Sequence, residues 1–121
     1  MANTFKTVSF AAEPNSAGTA YTMYTVAGST TTVVLGLRLT NIHSASVTVE
    51  VELESDTANR NGANNVANGT AFLAKDVTIP TGSSIEILAS SKIIMETTDV
   101  LKIDCSVADK VSGVLSVMEI T

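Results

Sequence analysis

Tryptophan is absent from the 121 residues, and cysteine and histidine occur once each. The lone Cys105 excludes an internal disulfide, so packing and strand pairing must hold the fold. Nucleophilic catalysis needs a nucleophile beside a base. His43 is the sole histidine and falls in a turn-like segment, while Cys105 falls on a core-facing strand position where a thiol behaves as a small hydrophobe. No catalytic residues, no cofactor-binding residues and no metal ligands are therefore assigned, and the protein is expected not to be an enzyme.

Aromatic residues are also scarce, with three Phe and two Tyr. Sugar-binding β-sandwiches rely on exposed aromatic platforms, and strand parity sends Tyr21 and Tyr24 to opposite faces, which denies them a shared one. Seven Lys and Arg against twelve Asp and Glu leave a formal net charge of -5, which disfavours a phosphate-neutralising surface and hence nucleic acid. No stretch approaches the ~20 apolar residues of a membrane helix, and MANTFKTVSF lacks the apolar core of a signal peptide. The expectation is a protein made in the cytoplasm that stays soluble, without a membrane partner. Gly62 and Gly69 lack the strand, Lys-Ser/Thr and helix context of a phosphate-binding loop.

Charged residues make up 16 % of the chain, below the ~25 % of ordinary globular proteins, and Thr, Ser and Asn fill most other polar positions. A neutral polar surface is cheap to desolvate, because hydroxyls and amides can be re-paired across an interface. That composition favours assembly with other proteins.

Period-two alternation dominates what is present. Val47, Val49, Val51 and Leu53 interleave with Thr48, Glu50, Glu52 and Glu54, the pattern of a half-buried strand. Before them Val33, Leu35, Leu37 and Leu39 alternate with Val34, Gly36, Arg38 and Thr40. The turn-forming NIHSAS between the two segments predicts a hairpin. Leu101, Ile103, Cys105 and Val107 form a further inward row. Residues 4–10, 19–26, 70–79, 84–88, 92–96 and 113–120 complete about eight to nine strands, separated by breakers at 12–18, 26–30, 79–84, 96–99 and 108–113. Without crossover helices the chain is expected to fold over residues 1–121 as one all-β domain, an antiparallel β-sandwich of jelly-roll type with about eight strands.

Glu50, Glu52, Glu54 and Asp56 align four carboxylates on one strand. Such a row could bind Ca²⁺ with Asn side chains from the polar segment 56–69, but it also serves as a solvated face that discourages sheet stacking. The segment 56–69 is long enough to be a contact element. The last strand places Val114, Met118 and Ile120 on one face and Leu115 and Val117 on the other. Either it is central in the domain or a neighbouring subunit covers its second face.

TTTVVLGLRLTNIHSASVTVEVEL, IPTGSSIEIL and KIIMETTDVLKIDCSVADKVSGVLSVMEI together resemble small virion structural proteins of tailed bacteriophages, notably those of marine cyanobacteria. The shared pattern is a Thr-rich entry to a long strand, a Pro-x-Gly-Ser turn, an acidic turn before Leu-Lys-Ile, and a closing strand ending in Glu-Ile. Residues 56–69 exceed the short hairpin of that group. The resemblance implies a β-sandwich repeated on the particle as a capsid decoration protein or a neck or tail component. It implies protein partners, self-association into a homo-oligomer, and a place in the virion after synthesis in the host cytoplasm. A carbohydrate- or receptor-binding module is the alternative.

Overall fold

The computed structural model describes residues 2–55, 69–88 and 91–121. Asp56, Gly62 and all but the last residue of the segment 56–69 lie outside the described residues, so the contact and calcium expectations placed on them do too. Among the described residues the β-branched, alternating runs form nine strands: β1 (Asn3–Glu13), β2 (Tyr21–Thr25), β3 (Thr31–Asn41), β4 (Val47–Glu54), β5 (Thr70–Ile79), β6 (Ser84–Glu86), β7 (Ile93–Met95), β8 (Val100–Cys105) and β9 (Val111–Ile120).

These strands build two antiparallel sheets. Sheet A runs β1-β9-β3-β6, with β7 also paired to β3, and sheet B runs β2-β8-β4-β5. Among the described residues, β4 and β5 are the one pair of consecutive strands that are also hydrogen-bonded neighbours. Most connections therefore pass from one sheet to the other, which is the jelly-roll arrangement.

The expected hairpin of β3 with β4 is not formed. β3 pairs with β9, β6 and β7 in sheet A, and β4 with β5 and β8 in sheet B. A buried polar side chain sits at this crossing. Asn41 is 1 % exposed, yet its amide donates to the carbonyls of Ala45 and Ile79 at 2.9 Å each, and its oxygen accepts from His43 N–H at 2.7 Å. With these polar atoms satisfied, the amide costs little in the interior and holds the corner where the chain changes sheets.

The core lies between the sheets. Leu37, Leu39, Val34, Leu115, Val117, Val111 and Met95 from sheet A meet Val49, Val51, Leu101, Ile103, Ile79 and Cys105 from sheet B, all buried. Cys105 thus faces inward as expected. A bulge between Val34 and Gly36 corrects the simple alternation of β3: Val34, Leu37 and Leu39 share the inner face, and Val33 does not join them. A second bulge, between Thr22 and Tyr24, corrects the expectation for the tyrosines. Tyr21 pairs with Ile103 and Tyr24 with Leu101, so both point to the core side.

Glycine matters most at position 113. Its partner across the ladder is Phe10, whose ring lies where a side chain would stand: a Cβ on Gly113 would meet it at 2.3 Å. Phe10 in turn meets Tyr21 edge-on, with ring centroids 5.3 Å apart, closing the core between β1 and β2.

Candidate interaction surface

The two outer faces of the sandwich differ in chemistry. On sheet B, Glu50, Glu52 and Glu54 of β4 stand opposite Asp104, Lys102 and Val100 of β8. Lys75 pairs with Glu50 at 2.6 Å and also lies over the Phe72 ring, while Lys102 pairs with Glu54 at 3.0 Å. Asp104 accepts hydrogen bonds from the N–H groups of Gly18 and Cys105. The row of carboxylates is thus a solvated, partly neutralised face. Among the described residues, no group of three or more His, Cys, Asp or Glu is arranged to hold a metal ion.

Sheet A presents the opposite chemistry outward. Register aligns Phe5 of β1 with Met118 of β9, Met118 with Val33 of β3, and Val33 with Ile94 of β7. Directly opposed residues in a ladder point to the same face, so these four side chains form one apolar row across the sheet, roughly 14 Å long at normal strand spacing. Phe5 is 71 % exposed and Ile94 60 %. Val114, farther along β9, is 45 % exposed and stands between Ser9 and Arg38. Beside the row, Phe5, Thr7, Ser116 and the bulge residue Leu35 line a shallow groove. Arg38, opposite Glu86, marks the polar end and donates to the hydroxyl of Ser84.

The faces of β9 are those expected from the sequence, and the central position is the alternative the fold bears out. β9 is central in hydrogen bonding, flanked by β1 and β3, and buries Leu115 and Val117 inward. Its Val114, Met118 and Ile120 side nevertheless lacks a covering layer within the described chain. Phe5, Val33 and Ile94 were missed by sequence reasoning, although each carries a signal: it is apolar and out of phase with inward neighbours, Val8 and Phe10, Val34, and Ile93 and Met95 respectively.

One polar cluster ties the two sheets together beside this surface. Glu119 of β9 accepts a short hydrogen bond from the Tyr24 hydroxyl of β2 and pairs with Lys6 of β1 at 2.8 Å. Tyr24 also shares a hydrogen bond of 2.8 Å with the Thr32 hydroxyl. The Lys6 hydrogen bond and the Tyr24 hydroxyl hold the Glu119 carboxyl below its usual range. Burial first, and then the Glu119 hydrogen bond, push the Tyr24 phenol up to about 12.

The sole histidine contributes mainly backbone to its surroundings: His43 N–H donates to Asn41, and its carbonyl accepts from the Thr81 hydroxyl. No hydrogen bond among the described residues joins it to Cys105.

Neither a protein-family model nor a curated protein matches the sequence. Solved structures do match in fold. A chain of the T13 particle of infectious bursal disease virus superposes with a TM-score of 0.53 at 15 % identity, over 97 % of this chain and 30 % of that one. A chain from the Gx strain of the same virus gives 0.50 at 16 % identity, over 98 % and 33 %. A chain of the disulfide-linked pili of Bacillus endospore appendages gives 0.47 at 16 % identity, over 99 % and 87 %. This chain spans about a third of the viral chains it matches, and what it shares with them is a jelly-roll-like fold.

Proposed function

We propose that the protein is a non-enzymatic structural component of a phage virion, a capsid decoration protein that docks on the particle lattice through the outer face of sheet A. The observation that carries this reading is the apolar row Phe5, Met118, Val33 and Ile94, set on the opposite side of the molecule from the charged face of sheet B. Exposed apolar surface that spans a whole sheet calls for cover, and a protein lattice supplies it many times over. The jelly-roll likeness to chains of virus particles and the pattern shared with small phage virion proteins support the same reading. A neck or tail lattice would offer the same chemistry.

The sugar-binding alternative gains no support from the described residues. The exposed aromatics, Phe5 and Phe72, sit on different sheets, and both tyrosines face the core. Mass spectrometry of purified virions should find the protein at many copies per particle. Co-sedimentation with particles lacking it should reach full occupancy for the natural sequence and fall at least tenfold in affinity for Ile94→Lys. Absence from virions, or undiminished attachment of a folded Ile94→Lys, overturns the proposal.

A further inference from the structure

Among the described residues four strand edges terminate the two sheets, and three of them are blunted. β6 and β7 are three residues each, β2 is five residues with a bulge, and β5 carries two bulges and a left-handed Asp76 with φ of 51°. Short, bulged edges resist pairing with other chains. β1 is different: eleven residues, in regular register with β9 from Asn3 to Phe10.

The direction of its free backbone groups follows from one pair of hydrogen bonds. Ala2 and Thr121 exchange both bonds, N–H of each to the carbonyl of the other. Alternation along an antiparallel ladder then assigns Thr4, Lys6 and Val8 to the hydrogen-bonded pairs with β9. Asn3, Phe5, Thr7 and Ser9 are left with N–H and C=O aimed at the open edge. All four are exposed, and from Asn3 to Thr7 the strand is exposed on both faces.

We infer that this edge is a homotypic interface: β1 pairs antiparallel with β1 of a second copy about a two-fold axis through Phe5, joining two copies of sheet A into one continuous sheet. The inference deepens the assembly reading above and takes its biological setting from it. A second copy is the occupant because the segment is self-complementary in this register. Phe5 meets Phe5, Asn3 meets Thr7, and Lys6 meets Thr4, which gives about six backbone hydrogen bonds from the outward groups. A register centred on Lys6 would oppose two ammonium groups, which is unfavourable. Centring on Phe5 uses the whole stretch that is open on both faces, and the apolar rows of the two copies become one. Lys6 does not guard the edge as an isolated charge, since Glu119 of its own chain neutralises it.

Sedimentation equilibrium of the full chain over a concentration series tests this, with circular dichroism as the check on folding. The natural sequence should dimerise. Thr7→Pro removes an outward N–H and no bond to β9, so the variant should fold and its dimer dissociation constant should rise at least tenfold. Phe5→Lys, which sets two charges on the axis, should do the same and serves if the proline variant unfolds. Spin labels attached at Thr7→Cys and at Ser9→Cys should lie roughly 14 Å and 27 Å from their counterparts, at ~3.4 Å per residue from the axis. A monomer at every concentration, dimers unaffected by both variants, or label distances that do not grow away from Phe5 would overturn the inference. Ile94→Lys should leave this dimer intact while weakening particle attachment, so failure of the pairing and failure of the virion reading give different results.

Discussion

Tyr24 of β2 donates a hydrogen bond to Glu119 of β9, and that bond crosses from one sheet to the other. Lys6 grips the same carboxylate from β1. Three strands of the sandwich are thus joined at one ionised group.

The clasp makes stability depend on pH at both ends of the scale. Glu119 has a folded pKa below its unfolded value, so its contribution is present above the ordinary glutamate range and is lost as pH falls through the depressed folded value. Tyr24 has a folded pKa raised to about 12 from 10.0, so its contribution is present below pH 10 and is lost between pH 10 and 12. Urea titrations of the natural chain and of Glu119→Gln should converge at acid pH and separate near neutrality. Because Lys6 is 52 % exposed, Lys6→Ala should cost only about 0.2–1 kcal/mol.

Replacing Gly113 by Ala should destabilise the domain by about 1–3 kcal/mol, since the added methyl requires the Phe10 ring to leave its seat. In the double variant with Phe10→Ala, the further loss from Gly113→Ala should nearly vanish. Denaturant midpoints of the four species provide the check.

Leu37→Ala, Val49→Ala and Ile103→Ala should each cost roughly 1–4 kcal/mol, while Thr48→Ala and Glu52→Ala should cost far less. Val34→Ala and Val33→Ala test the bulge directly. Val34 is 1 % exposed and should be the costly one, whereas equal losses would contradict the register of β3.

Charge placed on the two faces of β9 should act differently. Val117 is 1 % exposed and faces the core, so Val117→Lys buries an unpaired ammonium and should unfold the domain. Val114→Lys, on the outer face, should leave thermal unfolding nearly unchanged and weaken attachment to particles. The double variant Cys105→Ser, His43→Ala should still attach wherever it folds, because neither side chain lies on the apolar outer row.

Much of the fold was legible because alternation against a dry core is a strong signal: all nine strands of the described residues coincide with apolar, β-branched runs. Pairing was less legible. Nothing local in NIHSAS distinguishes a hairpin turn from a crossing between sheets; the distinction lies in Asn41 reaching Ile79, 38 positions away. Bulges at Leu35 and Met23 each insert one residue and reverse parity beyond it, which is why Val33 and Tyr24 face opposite to simple counting. The outer apolar face was half visible. Only its β9 part shows in the sequence, because joining Phe5, Val33 and Ile94 to it requires the strand order, which no single segment encodes.

The order of strands in sheet A also has a consequence for how the chain comes to be folded. β1 and β3 touch through β9, the hydrogen-bonded neighbour of β1 among the described strands, so during synthesis β1 waits for that neighbour until the residues from Val111 onward have left the ribosome. Folding dominated by such distant pairings is slow, on the order of milliseconds to seconds. Through that interval the nascent chain carries an open edge at Asn3–Phe10 with Phe5 upon it. A ribosome stalled before Val111 would hold a chain unable to complete sheet A, with the exposed edge of β1 open to a chaperone.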